Sequence, residues 1–215
     1  MDWLSIRQLL QRRKLHITLL LCLLIIFSFN SALANNQYQP ETGDIIFHTS
    51  RSEQSLAIQA ATRSPYSHMG IILFKNDNPY VYEASNVVKF TPLKQWIKQG
   101  VANKYVIKRL KNPLTEQQKA LLIQKAIPYQ SKPYDLTFSW SDERIYCSEL
   151  VWKIYKSALD IEVGHLQKLH EFDLSSDKVI KKLKERYGDN IPFDETVISP
   201  NAIFDSPLLM TVDSF

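Results

Sequence analysis

Between His68 and Ser85 the chain reads HMGIILF, then KNDNP, then YVYEAS. Two runs rich in β-branched and aromatic residues flank a polar, turn-forming joint, the pattern of a β-hairpin. With the turn centred between Asn76 and Asp77, Phe74 faces Pro79 and His68 faces Ser85. Side chains alternate between the two faces of a strand, so this register puts Glu83 on the same face as His68. The two are one diagonal step apart across the strands, roughly 7–8 Å between their backbones and within reach of long side chains. A slip of one residue would send Glu83 to the other face. The neighbours of Glu83 are apolar Val81, Tyr82 and Ala84, which makes a partner or a function more expected there than a free surface charge.

Further elements are read around this hairpin. GDIIFHT (Gly43–Thr49) and KYVIKRL (Lys104–Leu110) are strand-like, and VVKFTP (Val87–Pro92) extends the sheet. The stretch SRSEQSLAIQAATRS predicts a helix, with Ser50 and Glu53 at capping-box spacing. PLKQWIKQG predicts a short helix opened by Pro92 and closed by Gly100. TEQQKALLIQKAI predicts another, with Thr115 and Gln118 as its capping box. In KVIKKLKERYG (Lys178–Gly188), Val179, Ile180, Leu183 and Tyr187 recur at helical spacing, so the lysines read as a solvated face. Strands joined mostly by hairpins and interleaved with helices indicate an α+β fold rather than a doubly wound sheet.

The N-terminus has a different character. Arg7, Arg12, Arg13 and Lys14 precede an apolar run from Ile17 to Phe29, and Ala32-Leu33-Ala34 follows. That order is a secretory signal peptide. The run is short of the roughly 20 apolar residues that a membrane-spanning helix needs. Cleavage after Ala34 is expected, giving a periplasmic or secreted protein with no span remaining. Residues 1–34 are the leader. Residues 35–215 form one domain, about 180 residues, long enough for a sizeable core. The whole chain has 26 basic and 22 acidic residues. The leader holds four of the former and Asp2 of the latter, so the remainder is nearly neutral. That balance removes the electrostatic footprint of a nucleic-acid binder.

Removal of the leader also removes Cys22, leaving Cys147 as a single thiol in an exported protein. An unpaired thiol is a liability in an oxidising compartment. Leu150, Val151, Ile154, Tyr155 and Ala158 begin a helical period just after it, so Cys147 opens a helix. The first turn of a helix has unpaired N–H groups and a partial positive charge, which favour a thiolate. From this segment alone a nucleophile and a buried apolar cysteine both remain open. A cysteine nucleophile needs a base, and the base an orienting group. Of the histidines after the leader, His165 and His170 are spaced poorly for a metal on a helix and read as surface or loop residues. His48 ends a strand. His68 begins one and shares a face with Glu83.

The order His68, Glu83, Cys147 resembles the circularly permuted papain-like enzymes of the NlpC type, and more closely the YiiX-like permuted papain-like hydrolases of bacteria. The matching pieces are GDIIFHTSRSEQSLAIQAATRSPYSHMGIILF, YVYEAS, TPLKQWI, KPYDLTFSW, RIYCSELVWKIY, EFDLSS, LKERYG and ETVISP. The resemblance covers essentially the whole chain after the leader. It implies Cys147 as nucleophile, His68 as its base and Glu83 as the third polar member, with no departure at these positions. It also implies a small antiparallel sheet or open barrel packed against helices. Asp44, in the family's GD pair, is expected to tie down a turn, and Glu149 to support the helix start or to pair with Arg144. The substrate stays open between a peptidoglycan peptide, an acyl-amino acid and a lipid, with Tyr66, Tyr134, Trp140 and Tyr146 available to shape a pocket.

No G-x-S-x-G elbow, H-E-x-x-H, P-loop or G-x-G-x-x-G occurs, and no metal or cofactor is inferred. The expected activity is hydrolysis of an amide or ester through a thioester. A non-catalytic module binding acyl lipid or wall peptide, and an acyltransferase, are the alternatives.

Overall fold

The computed structural model describes residues 38–215. The expected leader lies outside the described residues. Gln39–Phe215 form one compact unit. Its centre is a six-stranded antiparallel sheet in the order β4-β3-β2-β1-β5-β8. The strands are β1 (Ile45–His48), β2 (His68–Lys75), β3 (Asn78–Ala84), β4 (Val88–Pro92), β5 (Val106–Leu110) and β8 (Leu209–Ser214). A small ribbon pairs β6 (Gln167–Lys168) with β7 (Thr196–Val197). The helices are α1 (Glu53–Thr62), α2 (Leu93–Gln99), α3 (Glu116–Ala126), α4 (Cys147–Leu159), α5 (Asp177–Tyr187) and α6 (Pro200–Phe204). Among the described residues no helix is long and apolar enough to cross a membrane. The fold is α+β, as expected.

The hairpin has the expected register: Phe74 pairs with Pro79 and Ile71 with Tyr82. The cause is local. Asn76 and Asp77 both have positive φ, 49° and 59°, the two-residue geometry that matches strand twist and that Asn and Asp tolerate. Alternation then sorts the sheet. Ile45, Phe47, Met69, Ile71, Leu73 and Tyr82 join the main apolar core. That core includes Leu150, Val151, Ile154 and Tyr155 of α4, whose 3.6-residue period gives it one buried stripe. The opposite parity of the strands carries Ile46, Ile72 and Val81, also fully buried, followed at the strand ends by His48, His68 and Glu83.

One helix start differs from expectation. The N-cap of α1 is Ser52, and no side chain caps it. Ser50 is held instead by its backbone bridge to Gly100 and by Ser67 Oγ, which accepts from its N–H at 2.9 Å. Its hydroxyl bonds the N–H and hydroxyl of Ser52. The helix therefore begins two residues later than a cap at Ser50 requires. At α3 the Thr115–Gln118 capping box is present as expected.

Candidate active site

Three elements meet at the start of β2. His68 is its first residue, and Glu83 projects from β3 on the same face. Gly70 lies between them along β2. A Cβ there would stand 2.4 Å from Val81 Cγ1 and 2.8 Å from the Tyr82 carbonyl oxygen. The missing side chain is what lets β3 bring Glu83 close. His68 Nε2 lies 2.6 Å from Glu83 Oε2, and Glu83 is 1% exposed.

The carboxylate is anchored further. Thr91 Oγ1, on β4, donates to Glu83 Oε1 at 2.5 Å, and Trp96 Nε1, on α2, donates to Oε2 at 3.0 Å. Burial pushes the Glu83 pKa up, but its contacts with His68, Thr91 and Trp96 win and hold it below the ordinary range. Cys147 also acts on the His68 imidazole, favouring its protonated form. Burial would lower the His68 pKa, but the hydrogen bonds and charges of Cys147 and Glu83 raise it to about 10.

Cys147 is the first residue of α4 and is 3% exposed. The first turn is pinned on several sides. Glu149 Oε2 accepts from the Tyr146 N–H at 3.3 Å. Ser148 Oγ donates to the Ile198 carbonyl at 2.7 Å, and the Ile198 N–H donates to the Tyr146 hydroxyl at 3.0 Å. Glu149 thus supports the helix start, and its ionic partner is Lys153, at 2.8 Å, rather than Arg144. Burial raises the Glu149 pKa to about 7, against the opposing pull of Lys153. Asp44 likewise meets expectation as a tie. It accepts from the Glu41 N–H at 2.9 Å and from Arg109 Nε at 2.6 Å.

His48, opposite His68 in the β1–β2 register, is a member of the site that its sequence context did not distinguish. Its ring stacks on Trp96 with centroids 3.9 Å apart and lies 5.3 Å from the His68 ring. Burial, with the charge of His68 adding to it, drives its pKa to about 3, so it stays neutral. Of the aromatics singled out in the sequence, Tyr134 and Tyr146 border the cavity beside Cys147. Tyr66 stacks on Phe204 and Trp140 packs edge-on against Trp152. His165 and His170 are exposed.

Residues 39–213 match the model of the family described as permuted papain-like amidase enzyme, YaeF/YiiX, C92 family. The chain belongs to this family. It is 56% identical over 189 residues to the uncharacterized protein YiiX of Escherichia coli (strain K12), covering 88% of this chain and 94% of that protein. It also superposes on the crystal structure of metalloprotein YiiX from Escherichia coli O157:H7 with a TM-score of 0.81. The identity there is 57%, over 83% of this chain and 99% of the other. Membership makes the chain a cysteine amidase-type hydrolase. Among the described residues no three His, Cys, Asp or Glu side chains converge as a ligand set. Both oxygens of Glu83 are already engaged by His68, Thr91 and Trp96.

Proposed function

We propose that the protein is an exported cysteine hydrolase that opens an amide or ester through a thioester on Cys147. The observation that carries this reading is the position of His68, hydrogen-bonded to Glu83 and coupled electrostatically to Cys147 at the start of α4. The Cys147 sulfur attacks the carbonyl carbon, forming a C–S bond. The tetrahedral oxyanion is held by N–H groups of the first turn of α4. As the C–N or C–O bond breaks, the His68 imidazolium gives its proton to the departing nitrogen or oxygen. Water then attacks the thioester, its proton passes to His68, and the C–S bond breaks to release the carboxylic acid. Glu83 fixes the ring orientation and stabilises the imidazolium without taking its proton. Thr91 and Trp96 position Glu83.

Export is the second part of the proposal, supported by the order of basic, apolar and small residues over residues 1–34. The mechanism is tested by rapid acid quench and intact-protein mass spectrometry with activated esters. An acyl adduct should localise to Cys147 and be absent in Cys147→Ala. Turnover by Cys147→Ala at the wild-type rate would exclude the mechanism.

A further inference from the structure

His68 is flanked on its own sheet face by two polar side chains that the hydrolytic mechanism does not use. His48 lies opposite it on β1. Continued past Ile71 and Tyr82, the hairpin register sets Ser85 opposite it on the other side. His48 is 2% exposed. Its Nδ1 and the Ser85 Oγ are buried atoms without a hydrogen-bond partner in the protein. Such atoms are uncommon, because a polar group buried unpaired loses its hydration and gains nothing in return.

Both residues border a cavity that also reaches His68 and Glu83. It encloses about 980 Å³, open space at its mouth included, many times the roughly 30 Å³ share of a water molecule. The exposed side chains of Asn86 and Gln99 border it too. Other polar groups on the lining are engaged within the protein. Ser67 Oγ lies 2.6 Å from Ser55 Oγ, and Gln54 Nε2 donates to the Tyr134 hydroxyl at 3.0 Å. Among the described residues the lining holds no Lys, Arg or Asp, and its one carboxylate, Glu83, is taken by His68 at 2.6 Å. A charged ligand would lose its hydration here without meeting a counter-ion. An uncharged one carries no such cost. Neutral His48 offers one ring N–H and one acceptor nitrogen, and the Ser85 hydroxyl both donates and accepts. A hydroxyl group has the same dual character and suits either partner.

Once the departing alcohol or amine has gone, this cavity faces an acyl group held on Cys147. Resting on the cysteine-hydrolase reading, we infer that the protein also transfers that acyl group to an uncharged polyol, held by His48 and Ser85 beside His68. The acceptor oxygen attacks the thioester carbonyl carbon and its proton passes to His68. The C–S bond breaks, the Cys147 thiolate is restored, and the acyl group leaves as an ester of the acceptor. Water performs the same step in hydrolysis, so the two nucleophiles compete for one acyl-enzyme.

The test takes p-nitrophenyl acetate as donor, so that the departing group is the same in every arm. Glycerol, 1-propanol, choline and 3-hydroxypropanoate are supplied as acceptors at equal concentration and pH 7, and the ratio of acetylated acceptor to acetate is measured. Glycerol should give a ratio at least tenfold above that of 1-propanol, and above those of the cationic and anionic alcohols. Ser85→Ala should lower the glycerol-to-propanol preference by roughly three- to tenfold, the worth of one ordinary hydrogen bond. His48→Phe, which keeps an aromatic ring against Trp96, should do the same. The preference is a quotient taken within each variant, so a general loss of activity does not move it. Equal ratios for glycerol and 1-propanol, or a higher ratio for either charged alcohol, overturn the polyol assignment, while acetylation of Cys147 in the same samples upholds the hydrolase mechanism. A preference unchanged in both folded variants overturns the roles of His48 and Ser85. Failure of the donor to acetylate Cys147 sinks the hydrolase reading as well. The wild-type comparison decides the matter even if neither variant folds.

Discussion

His68 Nε2 and Glu83 Oε2 lie 2.6 Å apart across a single hairpin, fifteen residues apart in sequence. The turn at Asn76-Asp77 sets the register that brings them to one face, and the carboxylate has Thr91 and Trp96 as further donors. Glu83→Gln keeps the shape and removes the charge. It is expected to lower kcat by on the order of 10²–10⁴-fold, the scale seen when a triad carboxylate becomes an amide. Its melting temperature should change little by comparison. Wild-type kcat in Glu83→Gln would assign the orienting role elsewhere, and Asp44, bound up with Glu41 and Arg109, is the group to test next.

The raised pKa of His68 makes a titration prediction. An imidazole raised to about 10 keeps a proton in the folded state that the unfolded chain loses near about 6.5. The stabilisation is complete below that lower value and is lost as pH rises through about 10. Cys147→Ala removes the first of the interactions that raise it, so the His68 titration should move down by more than one pH unit. Nitrogen-15 NMR of the ring would follow this. In parallel, iodoacetamide should alkylate Cys147 at pH 6 faster in wild type than in His68→Ala. An unmoved titration together with equal alkylation rates would separate the two side chains functionally.

Gly70→Ala tests the close approach of β2 and β3. The added Cβ meets the Tyr82 backbone and the Val81 side chain, and overpacking of this kind costs about 1–3 kcal/mol. Activity should fall further than this destabilisation accounts for, because the displaced strand carries Glu83. A variant with the expected lower stability and full kcat would refute that coupling.

Glu149 gives a pH signature in stability. Its pKa is about 7 when folded, against an ordinary 4.5. Between those values the folded protein binds more protons than the unfolded chain, so stability declines as pH rises through that window. Glu149→Gln should flatten this slope in melting temperatures recorded from pH 4.5 to 8. A slope unchanged by the substitution would place its origin in another group.

Export makes a chemical prediction. N-terminal sequencing of protein recovered from its native compartment should begin at Asn35. A sequence beginning at Met1 would show that the leader is retained.

The parts of the site legible in the sequence are those fixed by local rules. The turn at Asn76-Asp77 sets the hairpin register, and alternation from it places Glu83 beside His68. The helical period beginning after Tyr146 puts Cys147 at a helix start. Thr91, Trp96 and His48 escaped because each reaches the site from another element, through pairings that no local pattern encodes. Thr91 lies opposite Val81 on β4, and Trp96 sits on a helix whose composition does not reveal which face is buried. The pairing of Tyr134 with Gln54 spans eighty residues and has no local signature. At Ser50 the capping-box spacing was real, but pairing with Gly100 and Ser67 drew that residue into the sheet edge. Local propensity yielded there to tertiary contact.

The hairpin holding His68 and Glu83 closes a short loop, whereas Cys147 must arrive from a distant part of the chain. Short loops close at a smaller entropic cost and sooner than long ones. During refolding the acid–base half of the site should therefore assemble before the sulfur joins it. Until α4 docks, Cys147 is an ordinary thiol without a base, and its reactivity switches on only with completion of the fold. Quenched-flow alkylation during refolding would record this as a late rise in labelling rate, after the hairpin amides have become protected from hydrogen exchange. An enzyme assembled in that order stays chemically silent while its chain is still incomplete.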